Sequence, residues 1–121
     1  MANSLSQLDK QYVWHPFTQM KDWLKGEPIV IVEGKGAVLR DANGKEYLDG
    51  LSGLWNVVLG HGRRELAEAA ARQMTELAYC TGYAGGSNPR AIELAERLAA
   101  IMYRSITRFF FTSGGAEATE A

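Results

Sequence analysis

Hydrophobic residues along this chain change their spacing from helical to alternating and back again. Leu5, Leu8, Tyr12 and Val13 recur at helical intervals within residues 4–14 and predict an amphipathic helix. "WHPFTQMKDW" follows, rich in aromatic residues, and Pro16 breaks any helix there, so a loop is expected. Residues 28–50, "PIVIVEGKGAVLRDANGKEYLDG", hold three short β-rich runs separated by "EGKG" and "DANG", both turn signals. They predict an antiparallel meander over about 28–33, 37–41 and 45–49. "GLSGLWNVVLGHG" (50–62) is punctuated by glycine and reads as irregular. In "RRELAEAAARQMTELA" (63–78), Leu66, Ala70, Met74 and Leu77 share one helical face.

"YCTGYAGGSNPR" is a second glycine-rich connection, and Ser87 or Asn88 as N-cap with Pro89 in the first turn opens another helix. Ala91, Leu94, Ala95, Leu98 and Met102 form its expected buried stripe, with Glu93 and Arg97 as a surface pair. Ile106 to Phe111 is a continuous apolar run, the pattern of a strand covered on both faces. "TSGGAEATEA" then turns into a helix, with Gly114 as N-cap and Glu117 at the third helical position. A doubly covered strand needs neighbours, and no other run of that kind is present. The expectation is an N-terminal fragment of a larger protein.

Strand, glycine turn and helix start form a recurring anion site, because the first backbone N–H groups of a helix lack partners. The plain alternative is a tight connection with no ligand. Gly34-Lys35-Gly36 is no dinucleotide fingerprint, since a strand follows it, and Gly44-Lys45 lacks the rest of a phosphate loop.

Composition narrows the partners. A net charge of −1 over 121 residues, with scattered basic groups, excludes an electrostatic footprint for nucleic acid. The single cysteine, Cys80, excludes an internal disulfide framework, fits a reducing compartment and reads as inert packing. The N-terminus has neither the basic nor the apolar region of a secretory signal, and no apolar run is long enough to span a membrane. A cytoplasmic protein is expected, with no membrane or nucleic-acid partner and no residues assigned to a metal.

"WHPFTQMKDW", "DANGKEYLDGLSGLWNVVLGHG", "NPRAIELAERLA" and "FFTSGGAEATEA" together resemble, in order and spacing, the N-terminal portion of class III, ω-type aminotransferases. The similarity implies an α/β chain, part of the aspartate-aminotransferase-like fold of enzymes that depend on pyridoxal 5′-phosphate. Residues 1–62 would be an N-terminal segment with the β-meander, part of the small domain. Residues 63–121 would be helices, a first strand and the phosphate-binding turn that opens a large parallel or mixed-sheet domain. The family assembles as homodimers with active sites at the subunit interface, and moves an amino group from an amine or ω-amino acid to a keto acid such as pyruvate.

Carried over by position, the resemblance puts the cofactor phosphate on the N–H groups of Gly114, Gly115 and Ala116; Gly114 and Ala116 lack hydroxyls common there. Phe17, Leu54 and Trp55 match substrate-pocket walls, and Gly82 and Tyr83 match positions that approach the site across the dimer. His15 and His61 have no matching partner and are read as structural. None of Lys10, Lys21, Lys25, Lys35 and Lys45 has an apolar setting or matches the family's Schiff-base lysine, which is expected downstream with the acid that holds the pyridine nitrogen. The fragment alone is expected to be inactive. A non-catalytic module that binds a phosphate ligand or a protein is the alternative. "WHPFTQMKDW" leans toward a biotin-pathway branch and "GLSGLWNVVLGHG" toward pyruvate-using enzymes.

Overall fold

The three β-rich runs form the antiparallel meander that their pattern predicts. In the computed structural model, which describes residues 2–121, β1 (Ile31–Lys35), β2 (Val38–Asp41) and β3 (Glu46–Leu48) lie in the order β1-β2-β3. Val38 pairs with both Lys35 and Leu48, and the register slips at a bulge between Ile31 and Glu33. β1 starts later than expected and runs through "EGK", which the sequence suggested as turn. The reversal instead falls at Gly36, whose φ of 57° is a left-handed conformation that glycine adopts without a side-chain clash.

Asp41 organises the second turn. Its Oδ1 accepts from the N–H groups of Asn43 and Lys45, both at 2.9 Å, and its Oδ2 accepts from the Tyr47 hydroxyl at 2.9 Å. Burial pushes this carboxyl up, but the bonds from Lys45, Tyr47 and Asn43 outweigh it and hold the group below the usual carboxylate range. Tyr47 shifts the other way, because its proton is held by Asp41.

The meander belongs to the first of two compact units, Met1–Ala70 and Ala71–Ala121. The first unit also carries α1 (Ala2–Tyr12), α2 (Met20–Trp23), α3 (Ser52–Trp55) and the start of α4 (Arg64–Glu76). α2 was not expected; the Gln19 side chain caps it by accepting from the Lys21 N–H at 3.3 Å. Leu5, Leu8 and Tyr12 of α1, with Val13 just after it, line an open groove with Trp23 and Ile29.

The second unit holds the end of α4, a 3-10 turn (Tyr83–Gly85), α5 (Pro89–Ile101) and α6 (Gly115–Glu120). α5 begins as its sequence predicts, with Asn88 Oδ1 accepting from the Ala91 N–H at 3.0 Å and Pro89 in the first turn. Glu93 pairs with Arg90 at 2.9 Å rather than with Arg97, one turn in the other direction.

Two expectations about packing are corrected. Residues 106–111 pair with no strand among the described residues, because a strand exists only through hydrogen bonds to a neighbour and none lies alongside. The described sheet is the three-stranded meander alone. Nor does a hydrophobic core close. No hydrophobic side chain from Ser4 onward is buried, and of the predicted stripe Ala91, Ala95 and Leu98 are only half-buried while Leu94 and Met102 are exposed. From Ser4 onward, only Ser6, Pro28 and Asp41 are buried.

Candidate functional site

The segment "GLSGLW" folds into α3, a single turn with left-handed backbone. Ser52, Gly53, Leu54 and Trp55 have φ of 52°, 58°, 61° and 68° in succession. For residues with a Cβ this conformation costs about 1–2 kcal/mol each, so the turn persists only where its surroundings hold it. The holding groups are polar. Asp49 Oδ1 accepts from the Gly53 N–H at 3.1 Å, and Asn56 Nδ2 donates to the carbonyls of Gly53 and Leu54 at 3.2 and 3.1 Å. The Val57 N–H closes the turn on the Ser52 carbonyl at 2.8 Å. Leu54 and Trp55 are thereby presented outward, with relative exposures of 60% and 77%.

Asp49 reaches further. Its Oδ2 lies 2.8 Å from His61 Nε2, and the hydrogen bond from His61, with that from Gly53, holds the carboxyl below the usual range. His61 is in turn bonded to Gly36 through both backbone groups, at 3.0 and 2.8 Å. Its ring lies against Gly34, where an added Cβ would stand 2.7 Å from His61 Cγ. His61 therefore has a carboxylate partner that sequence spacing did not reveal, twelve residues upstream.

His15 has one too. Its Nε2 lies 2.9 Å from Asp9 Oδ1, Trp23 Nε1 donates to Asp9 Oδ2 at 3.1 Å, and the two rings stand 4.3 Å apart. This cluster ties the "WHPFT" loop to α1. Phe17, at the tip, has φ of 56° and a fully exposed ring. Among the described residues, no hydrogen bond or ring contact joins it to Leu54 or Trp55.

In the second unit, Gly82 precedes the 3-10 turn in right-handed conformation and Tyr83 is exposed, its N–H held by Thr81 Oγ1 at 3.1 Å. Ala84 is left-handed, with φ of 55°. Five non-glycine residues carry such backbone: Phe17, Ser52, Leu54, Trp55 and Ala84. All lie in or beside the three loops that the sequence singled out.

At the end of the chain Gly114 is the N-cap of α6, extended at φ −170°, and no side chain caps the helix. A Cβ on Gly114 would lie 2.9 Å from Glu117 Oε2, so this flexible carboxylate sits over the helix start, where an anion is favoured. A Cβ on Gly115 would meet open space instead. The N–H groups of Gly115 and Ala116 have no acceptor within the helix. These unpaired donors fit a phosphate once the flexible Glu117 carboxylate moves off the helix start. Cys80 is half-buried, with its Sγ 3.4 Å from the Ser87 carbonyl.

No lysine is desolvated. Lys10 is half-buried and paired with Glu27 at 3.4 Å, and Lys21, Lys25, Lys35 and Lys45 are exposed. Among the described residues no cluster of metal-ligating side chains occurs, and no helix is long and apolar enough to cross a membrane.

Comparison with known proteins places these loops in a family. The profile of class-III aminotransferases matches residues 20–121. The chain is 44% identical over 119 residues to an adenosylmethionine-8-amino-7-oxononanoate aminotransferase of Geobacter sulfurreducens, covering 98% of this chain and 26% of that protein. Its fold superposes with a TM-score of 0.96 on a thermostable (S)-enantioselective omega-transaminase from Thermomicrobium roseum, at 47% identity, covering 99% of this chain and 27% of the other. A thermostable omega-transaminase variant with a tryptophan exchanged for glycine, engineered for synthesis of enantiopure bulky amines, matches with a TM-score of 0.88 at 32% identity, covering 96% of this chain and 26% of that one. The chain spans about a quarter of the length of these relatives. With a profile matched over most of its residues and relatives that match it over nearly its whole length, this chain belongs to the class-III aminotransferase family.

Proposed function

We propose that this chain is the N-terminal part of a pyridoxal-phosphate-dependent aminotransferase that moves an amino group from an amine or ω-amino acid to a keto acid. The observation that carries the reading is the coincidence of backbone strain with three candidate substrate loops. Left-handed non-glycine residues fall at Phe17, Leu54 and Trp55, and beside Tyr83 at Ala84. Such strain collects where side chains are fixed for binding. Family membership supports an amine donor and pyridoxal phosphate as what is bound.

In this reading the N–H groups of Gly114, Gly115 and Ala116 hold the cofactor phosphate, and the Glu117 carboxylate swings aside to admit it. When bound, pyridoxal phosphate supplies the electron sink that the amino-group transfer requires. Phe17, Leu54 and Trp55 wall the donor pocket with apolar surface and exclude water. Gly82 and Tyr83 would approach a substrate site across the dimer, Gly82 leaving room there and Tyr83 offering an aromatic edge. One relative with a tryptophan exchanged for glycine was engineered for synthesis of enantiopure bulky amines. Trp55, whose φ of 68° glycine would adopt freely, is the corresponding candidate here. Residues 1–62 would belong to a small domain and 63–121 to the start of a large one, in a cytoplasmic homodimer. The cofactor-bearing lysine would come from chain beyond these five, since none of them has a setting that keeps an amine neutral.

Gly115→Val in the full-length enzyme tests the phosphate site. The expected result is loss of cofactor on dialysis with the melting temperature of the cofactor-free protein unchanged, because a Cβ at Gly115 meets no atom outside its own turn within 4 Å. Full cofactor occupancy, followed by absorbance after dialysis, would move the phosphate elsewhere.

A further inference from the structure

We infer that Asp49 and His61 are positioning residues that set donor preference by holding the left-handed turn Ser52–Trp55 on the meander. The inference rests on the reading of Leu54 and Trp55 as pocket walls and goes beyond it, since neither Asp49 nor His61 lies in the turn.

Three observations converge. First, four successive residues of α3 occupy a conformation that three of them, Ser52, Leu54 and Trp55, do not prefer, so the turn needs an external restraint. Second, Asp49 supplies one with both oxygens: Oδ1 takes the Gly53 N–H at 3.1 Å and Oδ2 takes His61 Nε2 at 2.8 Å. Its side chain is only 8% exposed, and its bond to His61 is partly shielded from competing water. Third, His61 is itself fixed. Its two backbone bonds to Gly36 and its ring seat on Gly34 make it part of the sheet, which no flexible loop histidine would be. Turn, carboxylate, imidazole and strand thus form one connected path. A residue that walls a pocket must be held to within a fraction of an ångström to discriminate between donors. Leu54 and Trp55 receive no such support from apolar packing, being exposed. Their support is polar, and it passes through Asp49.

The test uses the full-length holoenzyme with a small alkyl amine and a bulky arylalkyl amine as alternative donors to one keto acid. Asp49→Ala should change the ratio of their kcat/KM values by about tenfold, mainly through the amine KM, the size of effect expected from reshaping one pocket wall. Adding Ser52→Gly, which removes the strain at one turn residue, should bring the ratio back part of the way. A purely structural role would not give that rescue. His61→Gln, which keeps the Gly53 bond, should move the ratio in the same direction by less, and it decides the matter if Asp49→Ala does not fold. Trp55→Ala serves as the reference for the pocket reading. If Trp55→Ala shifts the ratio and the folded brace variants leave it within about twofold, the brace is refuted and the pocket stands. If Trp55→Ala leaves the ratio unmoved, the pocket reading falls and the brace with it.

Discussion

The meander with its 60–62 loop and the α5-to-α6 stretch are built on opposite principles. In the first, each reversal is closed by a named polar group or a glycine contact: Asp41 in the second turn, Asp49 and His61 at the far end, Gly34 and Gly36 beneath the imidazole. In the second, α5 is capped at its start, yet its apolar stripe is at most half-buried and the "FFF" run has no neighbour. The difference teaches where each region finds its stability. Hydrogen bonds and turn geometry act over a few residues and are complete in this chain. Hydrophobic burial acts between distant elements and is incomplete here.

The largest test of that contrast is Phe110→Ala. In the 121-residue chain the side chain is 81% exposed, so truncation should leave stability unchanged. In a full-length enzyme whose sheet covers it, the same change should cost about 3–5 kcal/mol, read by denaturant unfolding of both proteins. Equal effects in the two would remove the buried-strand reading.

Gly34→Ala probes the other region and should cost less, about 1–3 kcal/mol, in both proteins alike. The added methyl meets His61 Cγ and Cβ, which are tied to the backbone and cannot swing away as a side-chain tip would. Hydrogen-exchange protection of Gly36 and His61 should fall with it; intact protection would show that the imidazole is not seated as described.

The smallest effect is the pH response of the meander. Asp41 and Asp49 titrate below their ordinary range in the folded chain. Their contribution is therefore fully present above the unfolded carboxylate value of about 4, and is lost as pH falls through the lower folded values. Tyr47, whose proton Asp41 holds, is raised, so its contribution is present below about 10 and is lost as pH rises through the folded value. Meander amide exchange should accelerate at both extremes, and Asp41→Asn should flatten the acid limb. An unchanged acid limb would mean that the carboxylate's charge is not what holds the turn.

Much of this could be read from residue order. Turn chemistry at "DANG", the Asn88-Pro89 start of α5 and the β-rich runs of the meander are local signals, and each element forms, with β1 shifted along the chain. The family, too, was legible, because four motifs in register survive without any knowledge of contacts. α2 was missed since a four-residue helix has too few positions to show a period. The histidine partners were missed for another reason. Asp9 and His15, and Asp49 and His61, lie six and twelve residues apart, and only chain reversal brings them within 3 Å. The left-handed run at Ser52–Trp55 had no signature either, since three of its four residues are not glycine. By itself the sequence determined which segments turn, which pair and which family they belong to, because those depend on neighbours a few residues away. The tertiary structure alone decided which carboxylate meets which imidazole, and which residues bear strain to present Leu54 and Trp55, because those depend on groups that folding brings together from separate parts of the chain.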